Sequence, residues 1–258
     1  MTSRGKVILI TGASSGIGEG TASELASRGY QLSLTGRNLE RLNGVKDKCI
    51  QEGLKEDQIL VVQGDMCSDE DVERIVKQTV DFFGSIYGLV NNAGIPCPGN
   101  MQTLKMSTFD KVMNLNLRSV IYITKLLIPY LIETKGCIVN VSSVASLVST
   151  DYNPIYSMAK AGLDKFTSNL AADLAKHQIR VNAVNPGVII TPLYDTLGYT
   201  LEQVENASRI GHAMCRHGEM AEVTKAIAFL ISDDSSFITG VRLPIDGGRH
   251  IMVKSEIL

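Results

Sequence analysis

"KVILITGASSGIG", residues 6–18, is where the fold is decided. Six mostly aliphatic residues run without alternation into a glycine loop, and a helical pattern follows over 17–28. An apolar run without alternation reads as a strand buried on both faces. A glycine loop between such a strand and a helix gathers backbone amides at the positive end of a helix dipole. That makes a seat for an anion such as a pyrophosphate. Glycine permits the tight turn and lets a phosphate approach the main chain. Gly12, Gly16 and Gly18 are spaced G-x-x-x-G-x-G, not G-x-G-x-x-G, so an ordinary glycine-rich turn is the competing reading of the loop alone.

Outward from this stretch the same alternation repeats. Strands are expected at "YQLSLT" (30–35), "QILVVQ" (58–63), "IYGLVN" (86–91), "CIVNVS" (137–142), "IRVNAV" (179–184) and "VRLPID" (241–246). Helices are expected over 38–52, from Ser68 to Gly84, over 107–134 with a bend before Pro129, over 155–176 and over 221–232. Ser68 and Asp71 form a capping-box pattern, and Gly84 marks the stop. Strands alternating with helices imply an α/β fold: a single-domain, doubly wound parallel sheet of about seven strands, helices on both faces, spanning 1–258. The stretch 187–220 shows no clear period and holds Tyr194, Tyr199, His212 and Met214, which suits a substrate-binding lid at about 188–220.

Composition narrows the classes. Lys and Arg number 25 against 27 Asp and Glu, so no basic excess points to nucleic acid or an anionic membrane. The five cysteines form no CxxC pair and the four histidines no ligand cluster, so reduced thiols, no metal and a cytoplasmic protein are expected. No uninterrupted apolar run approaches the roughly 18 residues of a membrane span. The C-terminal Ser255-Glu256-Ile257-Leu258 carries no targeting signal.

Three further segments carry chemistry. Strand two ends in Thr35-Gly36-Arg37-Asn38, without an acid. In dinucleotide folds an acid there bonds a ribose hydroxyl, whereas an arginine pairs with a 2′-phosphate, so Arg37 favours NADP over NAD. "YSMAK" (156–160) places Tyr156 and Lys160 four apart, on one helix face. A lysine cation about 4 Å from a phenolate, at an effective dielectric near 20, stabilises it by about 4 kcal/mol. That would lower the tyrosine by about 3 pKa units, toward neutrality, with desolvation opposing. Such pairs also occur on ordinary helices. Ser142 and Ser143 end strand five, where parallel strands face a ligand crevice, although a serine there can equally be a turn residue. Asn116 interrupts an apolar helix and needs partners; it can equally be a satisfied structural amide or a weak point at which the helix bends.

Together these segments resemble the short-chain dehydrogenase/reductase family, in its single-domain branch, from Lys6 to about Gly248. The matching motifs are TGxxxGxG, Asn91-Asn92-Ala93-Gly94, Tyr-x-x-x-Lys, Pro186-Gly187 and Asp246-Gly247-Gly248. The family's serine, thirteen positions before the tyrosine, selects Ser143, and its helical asparagine falls on Asn116. The resemblance implies Asn116, Ser143, Tyr156 and Lys160 as the catalytic set, with Asn116 placing a water in a proton relay. It implies NADP binding by Gly12, Ser14, Ser15, Gly16, Ile17 and Gly18, and by Arg37 and Asn38. Asp65 would bond the adenine amine and Asn92 would line the ribose, with Met66, Ala93 and Gly94 also binding the cofactor. Tyr156, Lys160, Pro186, Gly187, Val188 and Thr191 would hold the nicotinamide end. A homotetramer or homodimer is implied through the helices at 107–134 and 155–176.

The activity expected is NADPH-dependent reduction of a small to medium apolar ketone, dicarbonyl or steroid-like carbonyl, with Tyr156 as general acid/base. A 3-oxoacyl thioester reductase shares every motif, and an inactive NADP-binding regulator is the alternative of a different class. Enoyl reductases of the family space tyrosine and lysine more widely. The pocket is expected between 95–101, 144–153 and 188–215, with Leu147, Leu193, Tyr194 and Tyr199 as apolar lining. Cys97 is either a reactive thiol or an inert buried one.

Overall fold

The structure, a computed structural model, describes Ser3, residues 5–149 and residues 152–252. The wall positions Thr150 and Asp151 and the C-terminal Ser255-Glu256-Ile257-Leu258 lie outside the described residues. Seven strands form one parallel sheet: β1 (Val7–Thr11), β2 (Gln31–Gly36), β3 (Ile59–Gln63), β4 (Gly88–Asn91), β5 (Cys137–Val141), β6 (Arg180–Pro186) and β7 (Arg242–Ile245). Their order is β3-β2-β1-β4-β5-β6-β7, so the chain reverses its direction of travel between β1 and β4. In open α/β sheets a crevice for ligands forms beyond the strand ends at that reversal.

Strand residues alternate between two apolar layers, as a pleat of period two requires. Ile8 and Ile10 pack with Ala22 and Leu25 of α1 (Gly16–Ser27), near α2 (Leu39–Gln51). Leu9 faces the other way, into the cluster that holds Ile75 of α3 (Asp69–Phe83). The Ser68 hydroxyl caps α3 by accepting the Asp71 amide, and Gly84 ends it in the left-handed conformation.

The helix after β4 is α4 (Met106–Met113), a π turn (Asn114–Arg118) and α5 (Ser119–Thr134). By length and composition it could cross a membrane, yet Val112, Ile123, Leu127 and Leu131 are buried in the protein. The irregularity falls at Asn116, one of the two places where the sequence allows a bend, while α5 stays helical through Pro129. Pro129 lies on the exposed side of α5, as does Lys125, whose carbonyl loses its helical donor there. At the π turn the freed Leu115 carbonyl accepts the Ser119 hydroxyl at 2.7 Å.

Beyond β5, α6 (Pro154–Leu174) returns to β6. The stretch after β6 differs from its reading as period-free: it forms α7 (Pro192–Thr196) and α8 (Leu201–Gly211) before α9 (Met220–Ile231). Val223 and Ile227 of α9 join α1 on the first face of the sheet. A Thr200–Gln203 capping box starts α8, and this signal was present in the sequence.

Candidate active site

The glycine loop and the turn after β4 are tied into one rim. The Thr11 hydroxyl accepts the amides of Asn92 and Ala93, at 3.0 and 3.1 Å. The Asn92 amide donates to the carbonyls of Thr11 and Gly12, at 3.0 Å each. Gly12 has φ +64° and a Cβ there would press on the Ala93 Cα. A Cβ on Gly18 would collide with the Gly12 carbonyl, so Gly18 serves the packing of loop against helix and does not line the cleft. The N-cap of α1, Ser15, makes no side-chain cap. The first-turn amides therefore lack the usual hydroxyl acceptor and suit an anion.

A cleft of about 840 Å³ runs along this rim. At one end are Arg37, Arg41, Asp65 and Met66, with no acid at the end of β2. Arg41, in the first turn of α2, escaped the sequence reading. Asn38 does not line the cleft; its side chain caps α2 by accepting the Arg41 amide at 2.9 Å. Ser14, Gly16, Ile17, Gly94, Pro186, Gly187, Val188 and Thr191 all line the cleft.

At the centre, Ser143, Tyr156 and Lys160 converge. The Tyr156 phenol faces Ser143, whose hydroxyl favours the phenolate form. The Ser143 hydroxyl also accepts the Ala145 amide at 3.1 Å. Lys160 donates from Nζ to the Val141 carbonyl at 2.7 Å, and Nζ lies 5.8 Å from the centroid of the Tyr156 ring.

The electrostatics differ from the expectation that lysine pulls the tyrosine down. Tyr156 keeps part of its surface open to the cleft, but the atoms packed around it push its pKa above that of free tyrosine. The Ser143 hydroxyl opposes this. Burial also pushes Lys160 down, to about 8, with the Asp164 carboxylate acting against it. Desolvation disfavours whichever form is charged, and it is the leading cause of both shifts.

Asn116 is fully buried outside the cleft lining. Its side chain is held by the backbone of Ile95, accepting from N at 2.9 Å and donating to O at 2.8 Å. It flanks Gly94 on the same side as Lys160: a Cβ there would sit 3.3 Å from Asn116 Oδ1 and 3.7 Å from Lys160 Nζ.

Behind the site lies a buried polar network absent from the sequence reading. Asp164 Oδ2 accepts the Ser146 hydroxyl at 2.6 Å and the Asn185 amide at 2.9 Å. Ser146 and Asn185 also donate to the Ser143 carbonyl. The loop that presents Ser143 is thereby fastened to α6 and β6.

On the far side of the cleft, α7 and α8 face the loops after β4 and β5. The Tyr152 and Tyr199 hydroxyls meet at 3.0 Å. Leu193, Tyr194 and Tyr199 line the cleft as expected; Leu147 and residues 99–101 do not. Cys97 is buried in the wall and burial raises its pKa, which leaves an inert thiol. Buried His212 donates from Nδ1 to the Ser208 carbonyl at 3.0 Å, and its Nε2 accepts the Val188 amide at 3.2 Å. Arg249, just past Asp246-Gly247-Gly248, also lines the cleft. Among the described residues no group of three His, Cys, Asp or Glu could hold a metal.

A cleft at the reversal of a parallel sheet, an uncapped helix N-terminus and a Ser–Tyr–Lys centre define a nucleotide-dependent oxidoreductase. The comparisons agree. A family model described as enoyl-(acyl carrier protein) reductase matches residues 12–250. A glucose 1-dehydrogenase of Gluconobacter oxydans is 37% identical over 95% of this chain and 91% of its own. A 3-oxoacyl-(acyl-carrier-protein) reductase of Thermotoga maritima is 38% identical over 97% of this chain and 100% of its own. A short-chain dehydrogenase/reductase from Caenorhabditis elegans, of unknown function and solved with cofactor, superposes with a TM-score of 0.91. It is 34% identical and 98% of each chain is covered. The chain belongs to the short-chain dehydrogenase/reductase family, whose members act on CH–OH and C=O groups with a nicotinamide cofactor.

Proposed function

We propose that this protein is an NADPH-dependent carbonyl reductase. The observation that carries the reading is the convergence of Ser143, Tyr156 and Lys160 on one cleft. The first-turn amides of α1 would hold the pyrophosphate. Arg37 and Arg41, with no acid at the end of β2, favour a 2′-phosphate and hence NADP. The reduced nicotinamide supplies the hydride. Ser143 donates a hydrogen bond to the substrate carbonyl oxygen, and Tyr156 gives that oxygen its proton as negative charge develops. A tyrosine whose pKa is raised stands fully protonated at neutral pH, which suits reduction better than oxidation. Lys160 holds the nicotinamide ribose and adds positive charge beside the phenol. Asn116 holds the loop at Ile95 and positions a water for the relay to Lys160.

Tyr156 and Lys160 at four-residue spacing favour a carbonyl over the enoyl group that names the matching family model. Reduction of a 3-oxoacyl thioester is the second reading, favoured by the likeness to the Thermotoga maritima enzyme over nearly the whole chain. An inactive NADP-binding regulator has little use for the complete Ser–Tyr–Lys set. Cytoplasmic residence, one domain over 1–258, a lid at 188–220 and a homotetramer or homodimer belong to the same reading.

The test is NADPH oxidation against a panel holding a dicarbonyl, an aromatic ketone, a steroid ketone and a 3-oxoacyl thioester, repeated with NADH. Tyr156→Phe should lower turnover by at least about a hundredfold, the lower bound for losing a general acid, with NADPH affinity held. Turnover retained in that variant overturns the reading, and equal use of NADH overturns the role of Arg37.

A further inference from the structure

The cleft divides by chemistry. Arg37 and Arg41 serve its nucleotide end and Lys160 its centre. Toward α7 and α8 the wall is largely apolar, including Ile95, Val144, Leu193, Val204 and Ala207. One cation stands on that side among the described residues: Arg249, half-buried. Its guanidinium has five N–H donors in a fixed fork. No described residue accepts from them and none forms an ion pair with it. The nearest carboxylate in sequence, Asp246, is already occupied. It accepts the Gly248 and His250 amides, at 3.1 and 2.8 Å, and His250 Nδ1 at 2.8 Å. Glycine at 211 makes room for the guanidinium, since a Cβ there would lie 2.6 Å from Arg249 Nη1. Tyr194 lines the same cleft, within electrostatic reach of both Tyr156 and Arg249.

An unpaired guanidinium held partly out of water beside an apolar wall is a receptor for an anion. Resting on the carbonyl-reductase reading, we propose that Arg249 binds a carboxylate on the substrate. The substrate class is then an oxo acid: an apolar carbonyl compound ending in one carboxylate. One planar fork, with no second cation on that side of the cleft among the described residues, matches a single carboxylate better than a phosphate dianion. The reaction is unchanged, with hydride to the carbonyl carbon and the Tyr156 proton to its oxygen. Arg249 selects which carbonyl compound is held there. A purely structural role exists for comparison, because a cation beside the C-terminal end of α8 favours the helix dipole.

The experiment uses pyruvate, acetoacetate and levulinate, each beside its methyl ester, with dihydroxyacetone phosphate as the phosphate arm. At least one acid should exceed its ester in kcat/KM by tenfold or more, about the worth of a charged hydrogen-bond pair. Arg249→Leu should collapse that acid-to-ester ratio, and Arg249→Lys should restore part of it. Acid and ester falling together would reduce Arg249 to a support for α8 and overturn the proposal. An ester or phosphate preference in the wild type overturns it too. Thermal stabilisation of the NADP⁺-saturated protein by the same acids reads binding without turnover. Acid protection lost in Arg249→Leu would sustain the carboxylate site even if no carbonyl were reduced. No protection and no acid preference would end it.

Discussion

Lys160 carries its charge against its surroundings. Burial has brought its pKa to about 8, and Asp164, one turn further along α6, is the charge that resists the fall. Tyr156 and Asp164 are the titratable groups facing it, both on α6; β5 offers the Val141 carbonyl and the π turn the Asn116 amide. Asp164→Asn keeps the shape but removes that charge, so the Lys160 pKa should drop below its present value. If cationic Lys160 is needed, the alkaline limb of the kcat/KM profile should move to lower pH. A merely structural Asp164 would lower the rate at every pH and leave the limb where it was. At this scale the reacting residues were readable, because i,i+4 spacing and a strand end are local facts. The attraction of Lys160 for the Tyr156 phenolate was overrated, because desolvation depends on neighbours that spacing does not reveal. Asp164 lay in plain view four residues after Lys160. Its partners Ser146 and Asn185 come from two other elements, so its connection to Ser143 was not.

The elements were readable wherever local chemistry and burial agree. Ser68 begins α3 as its pattern indicates, with its hydroxyl on the Asp71 amide. Ser68→Ala should cost about 1 kcal/mol. In a chain this size that is a fall in Tm of about 2–4 °C, with kcat unchanged; a loss of activity at intact Tm would show that the cap does something else. The strands around the reversal were readable for a similar reason, since burial on both faces leaves continuous apolar runs. The elements missed are α7 and α8. Of α8, only Val204 and Ser208 are buried, because its inner side faces the cleft and not the core. A helix with so narrow an apolar stripe has a weak period, and the Thr200–Gln203 cap was its remaining signal. The irregularity at Asn116 was legible as a polar residue in an apolar helix, while its satisfaction by the Ile95 backbone was not.

Across the molecule, one histidine links the α8 end to the loop after β6. His212 is neutral as held, because Nδ1 donates to Ser208 while Nε2 accepts from Val188, and burial lowers its pKa below 6.5. Arg249 and His217 also push it down, and Asp246 pulls it up. Protonation turns Nε2 into a donor facing the Val188 N–H, and Val188 lines the nicotinamide end of the proposed cofactor site. The sign follows from linkage. A histidine with a depressed folded pKa binds fewer protons folded than unfolded, so stability rises with pH across that interval. Above about pH 6.5, the ordinary histidine value, both states are neutral and the contribution is flat. Below it the unfolded chain takes up the proton first, and stability falls until the folded pKa is passed. Melting at stepped pH should therefore show Tm level near neutrality and dropping on the acid side. NADPH affinity should weaken over the same interval. His212→Gln offers Val188 an acceptor that does not titrate, so it should flatten both trends while leaving affinity at neutral pH within a few-fold. An acid slope identical in the two proteins would assign the trend to other groups and remove His212 as the link between the α8 end and the cofactor loop.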